Sequence, residues 1–309
     1  MIETVFQTAL PIGERLVVRK NRIEGTGGPG PRIAVVTGID GDGLGGQWVA
    51  HELARVLRAE PHNLRGTVDI YPALNPLGVS AAEHGLPLFD LDLNHTFPGN
   101  RAGNMNEALA AAIVADIEGA DACVDIHAPD TYLREVPHVR VERHHRERLL
   151  PLAMVLNTQV AWVHATPHAE RSTLTHVLNK LGTPSVVVKM GERLHITADC
   201  GSWLTEGILR LIELLGGWSS PAVALPEPRV VTDDQVVTVK ADVPGVFLPR
   251  TEQGVSVRRG QAVGMVVDPL DDGVSVEVRS PVDGMVMSLR TQPVVYPGSA
   301  VARVMGGGR

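Results

Sequence analysis

The stretch RIAVVTGIDGDGLGG, Arg32 to Gly46, decides how the fold is read. Its first half is a short apolar run closed by Gly38, which suits a buried strand. Its second half is a glycine-rich reversal that holds Asp40 and Asp42 where the chain turns. Acidic side chains at such a turn can grip a metal, cap the following helix, or do neither. Directly downstream, Trp48, Val49, Leu53, Val56 and Leu57 recur at helical spacing. Strand, turn and helix thus begin an alternation.

The alternation continues outward. GTVDIYPALNP reads as the next strand and its exit loop, NEALAAAIVADIEGA as a helix, and ACVDIH and PSVVVKMG as further strands. SWLTEGILRLIELLGG repeats apolar residues three and four apart and stops on paired glycines, a helix with its end signal. The fold class expected is α/β: a doubly wound, mostly parallel sheet with helices on both faces. Composition then shifts. SSPAVALPEPR, Ser219 to Arg229, carries three prolines and reads as a linker. Beyond it, VVTVKADVPGVF, GQAVGMVVD, VSVEVRSPVDGMVMSL and VVYPGSAVARVM are short valine-rich pieces punctuated by glycine, the pattern of a small all-β barrel or sandwich. The expected division is 1–218, a linker over 219–229, and a β-barrel domain over 230–309. This last part resembles the lipoyl or biotinyl type of barrel. A carrier of that type needs a lysine at the hairpin tip, and DGMVMS has none, so its expected role is structural.

Bulk properties narrow the classes. A chain of 309 residues can bury a full core, and 44% hydrophobic with 20% charged residues is ordinary for a globular protein. A net charge of −7 leaves no broad basic surface for a nucleic-acid backbone, and 4% aromatic content weakens any case for base stacking. Cys123 and Cys200 read as buried packing thiols in a reducing compartment. The first residues carry Glu3 and no long apolar core, unlike a signal peptide, and no apolar run approaches the roughly 20 residues of a membrane span. A cytoplasmic protein without membrane or nucleic-acid partners is expected. ERHHRER, Glu142 to Arg148, reads as a solvated helical face on which His144 and His145 point different ways.

From VVTGIDGDGLGG through the NP of Asn75–Pro76, DLDLNHTFPG, VDIHAP and PSVVVKMGE to the terminal barrel, the chain resembles the succinylglutamate desuccinylase and aspartoacylase group, relatives of the zinc carboxypeptidases. The branch with a longer gap before DLNH and a terminal barrel includes deacetylases of N-acetylated diamino acids. The resemblance implies a zinc with three protein ligands and an open position for a water, a glutamate base, and arginines that hold the substrate. Here the pattern departs. The family turn supplies a histidine and a glutamate where this chain has Asp40 and Gly43. His127 of VDIHAP matches the third ligand, Lys189 stands at the position of the general base, and His84 and His95 align with the two arginines. Asn75, Pro76, Asp92, Asn94, Phe97, Pro98 and Gly99 stand as in the family.

One good ligand and one altered ligand are too few for tight zinc. The first expectation is therefore a metal-free relative that binds a small molecule or is the inactive partner of an active paralogue, in a hetero- or homo-oligomer. Lys189 would then sit against Asp40 and take over the role of the missing cation, because a buried carboxylate needs a partner charge. On this reading Asp40, His127 and Lys189 are the catalytic candidates, and His84, Asn94 and His95 the ligand-binding ones. The alternatives are altered acid–base chemistry on those residues, a displaced metal held by Asp40 and His127 with His84 or His95, and family-type zinc hydrolysis. Asp40 and Asp42 could instead simply cap the next helix, and His127 could be a satisfied core histidine.

Overall fold

The computed structural model describes residues 1–87, 91–130, 132–220 and 226–306; of the expected linker, residues 221–225 lie outside the described residues. The chain divides into two compact units, Met1–Ala128 with Pro137–Arg229, and Pro129–Val136 with Val230–Arg309.

The first unit is a mixed α/β structure. Its strands are β1 (Ile2–Ala9), β2 (Arg15–Glu24), β3 (Arg32–Thr37), β4 (Thr67–Tyr71), β5 (Ala122–His127), β6 (Leu133–Glu142), β7 (Val160–His164) and β8 (Ser185–Gly191). Its helices are α1 (Gly45–Ala59), α2 (Pro76–Ala81), α3 (Met105–Ile117), α4 (Arg146–Met154), α5 (Leu174–Lys180) and α6 (Ala198–Leu214). The spatial order is β1-β2-β4-β3-β5-β8-β6, with β7 beside β6. The β4-β3-β5-β8 pairings and the β6-β7 pairing are parallel, while β1 and β2 form an antiparallel hairpin on β4. Strand β5 is buried throughout and β3 from Ile33 onward, and apolar residues fill most of both. Ala34, Val36 and Cys123 share a core with Leu109 and Ile113 of α3 and Leu174 and Leu178 of α5. The alternate residues Ile33, Val35 and Val124 point to the opposite face and are equally buried, where α1 and α6 pack together.

The second unit is antiparallel. It comprises β9 (Arg229–Thr232), β10 (Val236–Lys240), β11 (Gly245–Pro249), β12 (Ser256–Val257), β13 (Ala262–Asp268), β14 (Asp271–Arg279), β15 (Gly284–Arg290), β16 (Val294–Val295) and β17 (Ala300–Gly306). One sheet joins β10, β17, β15, β12 and the first residues of β6; the other runs β14-β13-β11-β16. Phe247, Val263, Val266, Val286, Val301 and Val304 lie in one apolar core. Among the described residues no helix is long and apolar enough to cross a membrane.

Three sequence expectations change. The β1–β2 hairpin goes unread because the buried face of β2 carries a cation. Lys20, 3% exposed, lies 2.8 and 2.9 Å from the Asp116 oxygens and 3.7 Å from Asp69. Arg22 grips Asp69 through two hydrogen bonds of 2.8 and 2.9 Å, and Tyr71 donates to Asp116 at 2.7 Å. ERHHRER is not one solvated face: β6 carries Glu142 into the sheet beside His164, its carboxylate lies 3.2 Å from His176 Nδ1, and α4 starts only at Arg146. Cys200 is half-buried rather than buried, while Cys123 is enclosed; neither is in a disulfide among the described residues.

Removing Lys20 takes a buried cation away from both Asp69 and Asp116. Lys20→Met should lower the unfolding free energy by about 3 kcal/mol, the low end for a broken buried pair because Asp116 stays partly wet. The check is a urea midpoint that drops with an unchanged slope.

Candidate functional site

The site forms at the carboxyl ends of β3, β5 and β8, where an open parallel sheet leaves its strand ends free. The turn after β3 carries Asp40 and Asp42. Gly41 allows that turn to press against the segment after α2: a Cβ there would stand 2.1 Å from Gly78 C and 2.4 Å from Glu83 O. The Gly41 N–H donates to the His84 carbonyl at 3.1 Å. Asn75, fully buried, secures the same segment from the other side. Its Oδ1 accepts from Gly78 N–H as the cap of α2, and its Nδ2 donates to Gly85 O at 2.8 Å. His84 is thereby carried to the acidic turn.

At the floor, Asp40 is 8% exposed and its Oδ2 lies 3.2 Å from His127 Nδ1. His127 Nε2 faces Asp125 Oδ1 at 3.0 Å, where the two meet as charges rather than through an aligned hydrogen bond. Thr175 of α5 donates to the other Asp125 oxygen at 3.1 Å. At the mouth, His84 Nδ1 lies 3.8 Å from Asp40 and 3.5 Å from Asp42, and its Nε2 lies 3.5 Å from Asp92. His95 Nε2 also approaches Asp92, at 3.6 Å. Asn94 faces the fold: its Oδ1 accepts from Leu174 N–H at 3.2 Å.

The cation brought to the turn is Arg193, which the sequence analysis does not name. Its Nη1 donates to Asp42, and its Nη2 stands 3.8 Å from Asp40. Among the described residues Asp40 is answered by His127, His84 and Arg193 rather than by Lys189. The reason is the path of the chain. Lys189 is half-buried and fixed in β8 in register with His127. After it the chain bends at Gly191 (φ +73°), and Leu194 N–H donates to Asp42 O at 2.8 Å, which lays Arg193 against the turn. No local pattern in ERLHITAD marks that return. Of the expected displaced donors, Asp40 and His84 come together, His95 does not join them, and Asp92 does: one ligand atom from each of Asp40, His84 and Asp92 lies within 4.8 Å of the others.

Charges at the site are strongly coupled. Burial works to raise the Asp40 carboxyl, but His127, His84 and Arg193 outweigh it and hold it well below the usual carboxylate range. Asp42 is lowered against its own burial by His84 and Arg193, and Asp92 chiefly by His84. Asp42 and Asp92 pull His84 up to about 10, yet its Nδ1 lies 2.6 Å from Arg193 Nη1. The guanidinium and the two carboxylates thus compete for the same ring: Nδ1 faces both Arg193 and Asp42, and Nε2 faces Asp92. For His127, burial opposes the charge, and Asp125 and Asp40 overcome it, raising the imidazole to about 10.

Comparison with known proteins places these residues in context. Residues 29–215 match the family model described as the succinylglutamate desuccinylase/aspartoacylase catalytic domain. The chain is 25% identical over 283 residues, 89% of its length and 82% of the relative's, to N-alpha-acetyl-L-2,4-diaminobutyric acid deacetylase of Halomonas elongata. Its fold is similar to that of a succinylglutamate desuccinylase/aspartoacylase from Rhodobacter sphaeroides, with a TM-score of 0.85 at 23% identity over 99% of this chain and 96% of the other. It is equally similar to the product-bound ectoine utilization protein EutE (DoeB) from Ruegeria pomeroyi, with a TM-score of 0.85 at 20% identity over 99% and 95% of the two chains.

A group whose folded pKa lies above its unfolded value stabilises the fold fully below the unfolded value, and that stabilisation is lost as pH rises through the folded one. His127, ordinarily near 6.5 and here about 10, should therefore make unfolding progressively easier between those two pH values. Urea melts across that window should show the decline, and His127→Gln should flatten it.

Proposed function

The chain belongs to the succinylglutamate desuccinylase/aspartoacylase family, and on that premise we propose that it binds a small amino-acid-derived ligand without a resident zinc. It acts either as a free-standing binder or as the inactive partner of an active paralogue. A zinc hydrolysis site needs three protein ligands with lone pairs to give and one open position. His127 has both nitrogens turned to carboxylates, Nδ1 to Asp40 and Nε2 to Asp125. Gly43 supplies no donor atom. Asp40, Asp42 and His84 already face the Arg193 guanidinium. The donor set in this arrangement does not fit the ion, and the placement of Arg193 is the single observation that carries the reading.

The ligand's class follows from the mouth of the site. His84 and His95 are 42% and 47% exposed in their side chains, and Asp92 between them is a third exposed. An ionised carboxylate open to solvent suits an amine, such as the free amino group of an N-acylated diamino acid. The half-exposed His95 imidazole beside it supplies an N–H donor for an acyl or carboxylate oxygen. Lys189, next to His127 in the sheet, adds a cation on the same face.

A second reading rests on the spacing of Asp40, His84 and Asp92, whose donor atoms are close enough to share a divalent cation. In it the protein is a metal-assisted amide hydrolase whose ion sits away from the family position.

Calorimetry and an acetate-release assay separate the two. Chelator-treated protein should bind N-acetyl-2,4-diaminobutyrate saturably and release no acetate. Asp92→Asn should weaken that binding by roughly tenfold, the usual effect of losing one charged hydrogen-bond partner. Acetate release that stops with chelator and returns with added metal would favour the second reading.

A further inference from the structure

We propose that Arg193 is the built-in cation of this site, a positioning residue that holds Asp40, Asp42 and His84 in place and keeps a divalent ion from settling among Asp40, His84 and Asp92. The inference rests on the metal-free reading above and adds the group that enforces it.

Two acids, Asp40 and Asp92, meet His84 with donor atoms at the spacing of a cation-binding group, and Asp42 stands beside them. Such a group is held together only if something positive stands within reach. His127 answers Asp40 from the floor and is already shared with Asp125. On the mouth side the charge comes from Arg193, which is mostly buried. One nitrogen of the guanidinium serves both Asp42 and His84 Nδ1, and the other points at Asp40 from 3.8 Å. A planar fork can bridge three partners in this way.

The same contacts explain how an ion is kept out. A metal at Asp40, His84 and Asp92 would need the lone pair on one nitrogen of His84. Nδ1 is already engaged by Arg193 at 2.6 Å, and Nε2 is turned to Asp92 at 3.5 Å. It would also stand a few ångströms from a permanent positive charge in a site shielded from water, where like charges repel most strongly. The loop reinforces the arrangement: Leu194 N–H is bonded to Asp42 O, so Arg193 leaves only if that segment moves. Arg193 thus does for the mouth what the sequence reading expected of Lys189 for Asp40.

The test is direct metal binding. Chelator-treated wild type, Arg193→Ala, Arg193→Lys and the double variant Arg193→Ala with Asp92→Asn are titrated with Co(II), whose visible d–d absorption reports inner-sphere coordination. Wild type should take up no Co(II) into such a band. Arg193→Ala should bind one equivalent, with affinity raised by at least about tenfold, and the double variant should lose it again. Arg193→Lys keeps the charge and should stay metal-free, a rescue that a purely structural role would not produce. If Arg193→Ala does not fold, Arg193→Gln, which keeps an N–H for Asp42 but no charge, carries the same expectation. Wild type that already binds one equivalent would overturn the metal-free reading itself. Wild type and uncharged variants that all stay free of Co(II) would leave that reading standing and overturn the role of Arg193 alone.

Discussion

A carboxylate out of reach of water must be met by positive charge, and in this protein Asp40 is that carboxylate. The geometry of the site follows from the demand. His127 approaches one oxygen from the end of β5, His84 and Arg193 approach from two different loops, and none of the three is near Asp40 in sequence. The local devices exist to bring them there. Gly41 lets two backbone segments touch, Asn75 ties the His84 segment to the turn, and the bend at Gly191 returns Arg193 to it. Take away the central charge and these features lose their common purpose.

The same physics recurs at the edge of the sheet. Lys20, Arg22 and Arg32 surround Asp69 and Asp116, and a tyrosine hydroxyl completes the set. It pins the β1–β2 hairpin to β4 and α3. The site cluster has a dry side and a wet one. Asp92, His84 and His95 open to solvent while Asp40 and His127 do not, so one end of the network can exchange partners and the other cannot. That gradient, dry floor to wet mouth, underlies the proposed binding role.

The sheet was legible because burial on two faces leaves a plain mark. RIAVVT and ACVDIH are apolar almost throughout, and such runs between helical patterns have few other homes than a parallel sheet. The hairpin RLVVRKNRIE hides the same information, since a reader who counts apolar residues places Lys20 outside, whereas Asp69 and Asp116 draw it in. Glu142 misleads in the same way: its neighbours in sequence are charged, but its neighbours in space are β7 and a histidine of α5.

What the sequence determined by itself was therefore the strands β3, β4, β5 and β8 and the helices α1, α3 and α6, the family, and the acidic turn. All of these rest on periodicity or on residues close together in a motif. Only the tertiary structure decided which cation answers Asp40, and that Asp92 rather than His95 joins Asp40 and His84. Charge acts through distances of a few ångströms in space whatever the separation along the chain. The path of a loop such as Gly191 to Leu194 is set by two backbone angles and one hydrogen bond to Asp42, and neither leaves a trace in the order of the letters.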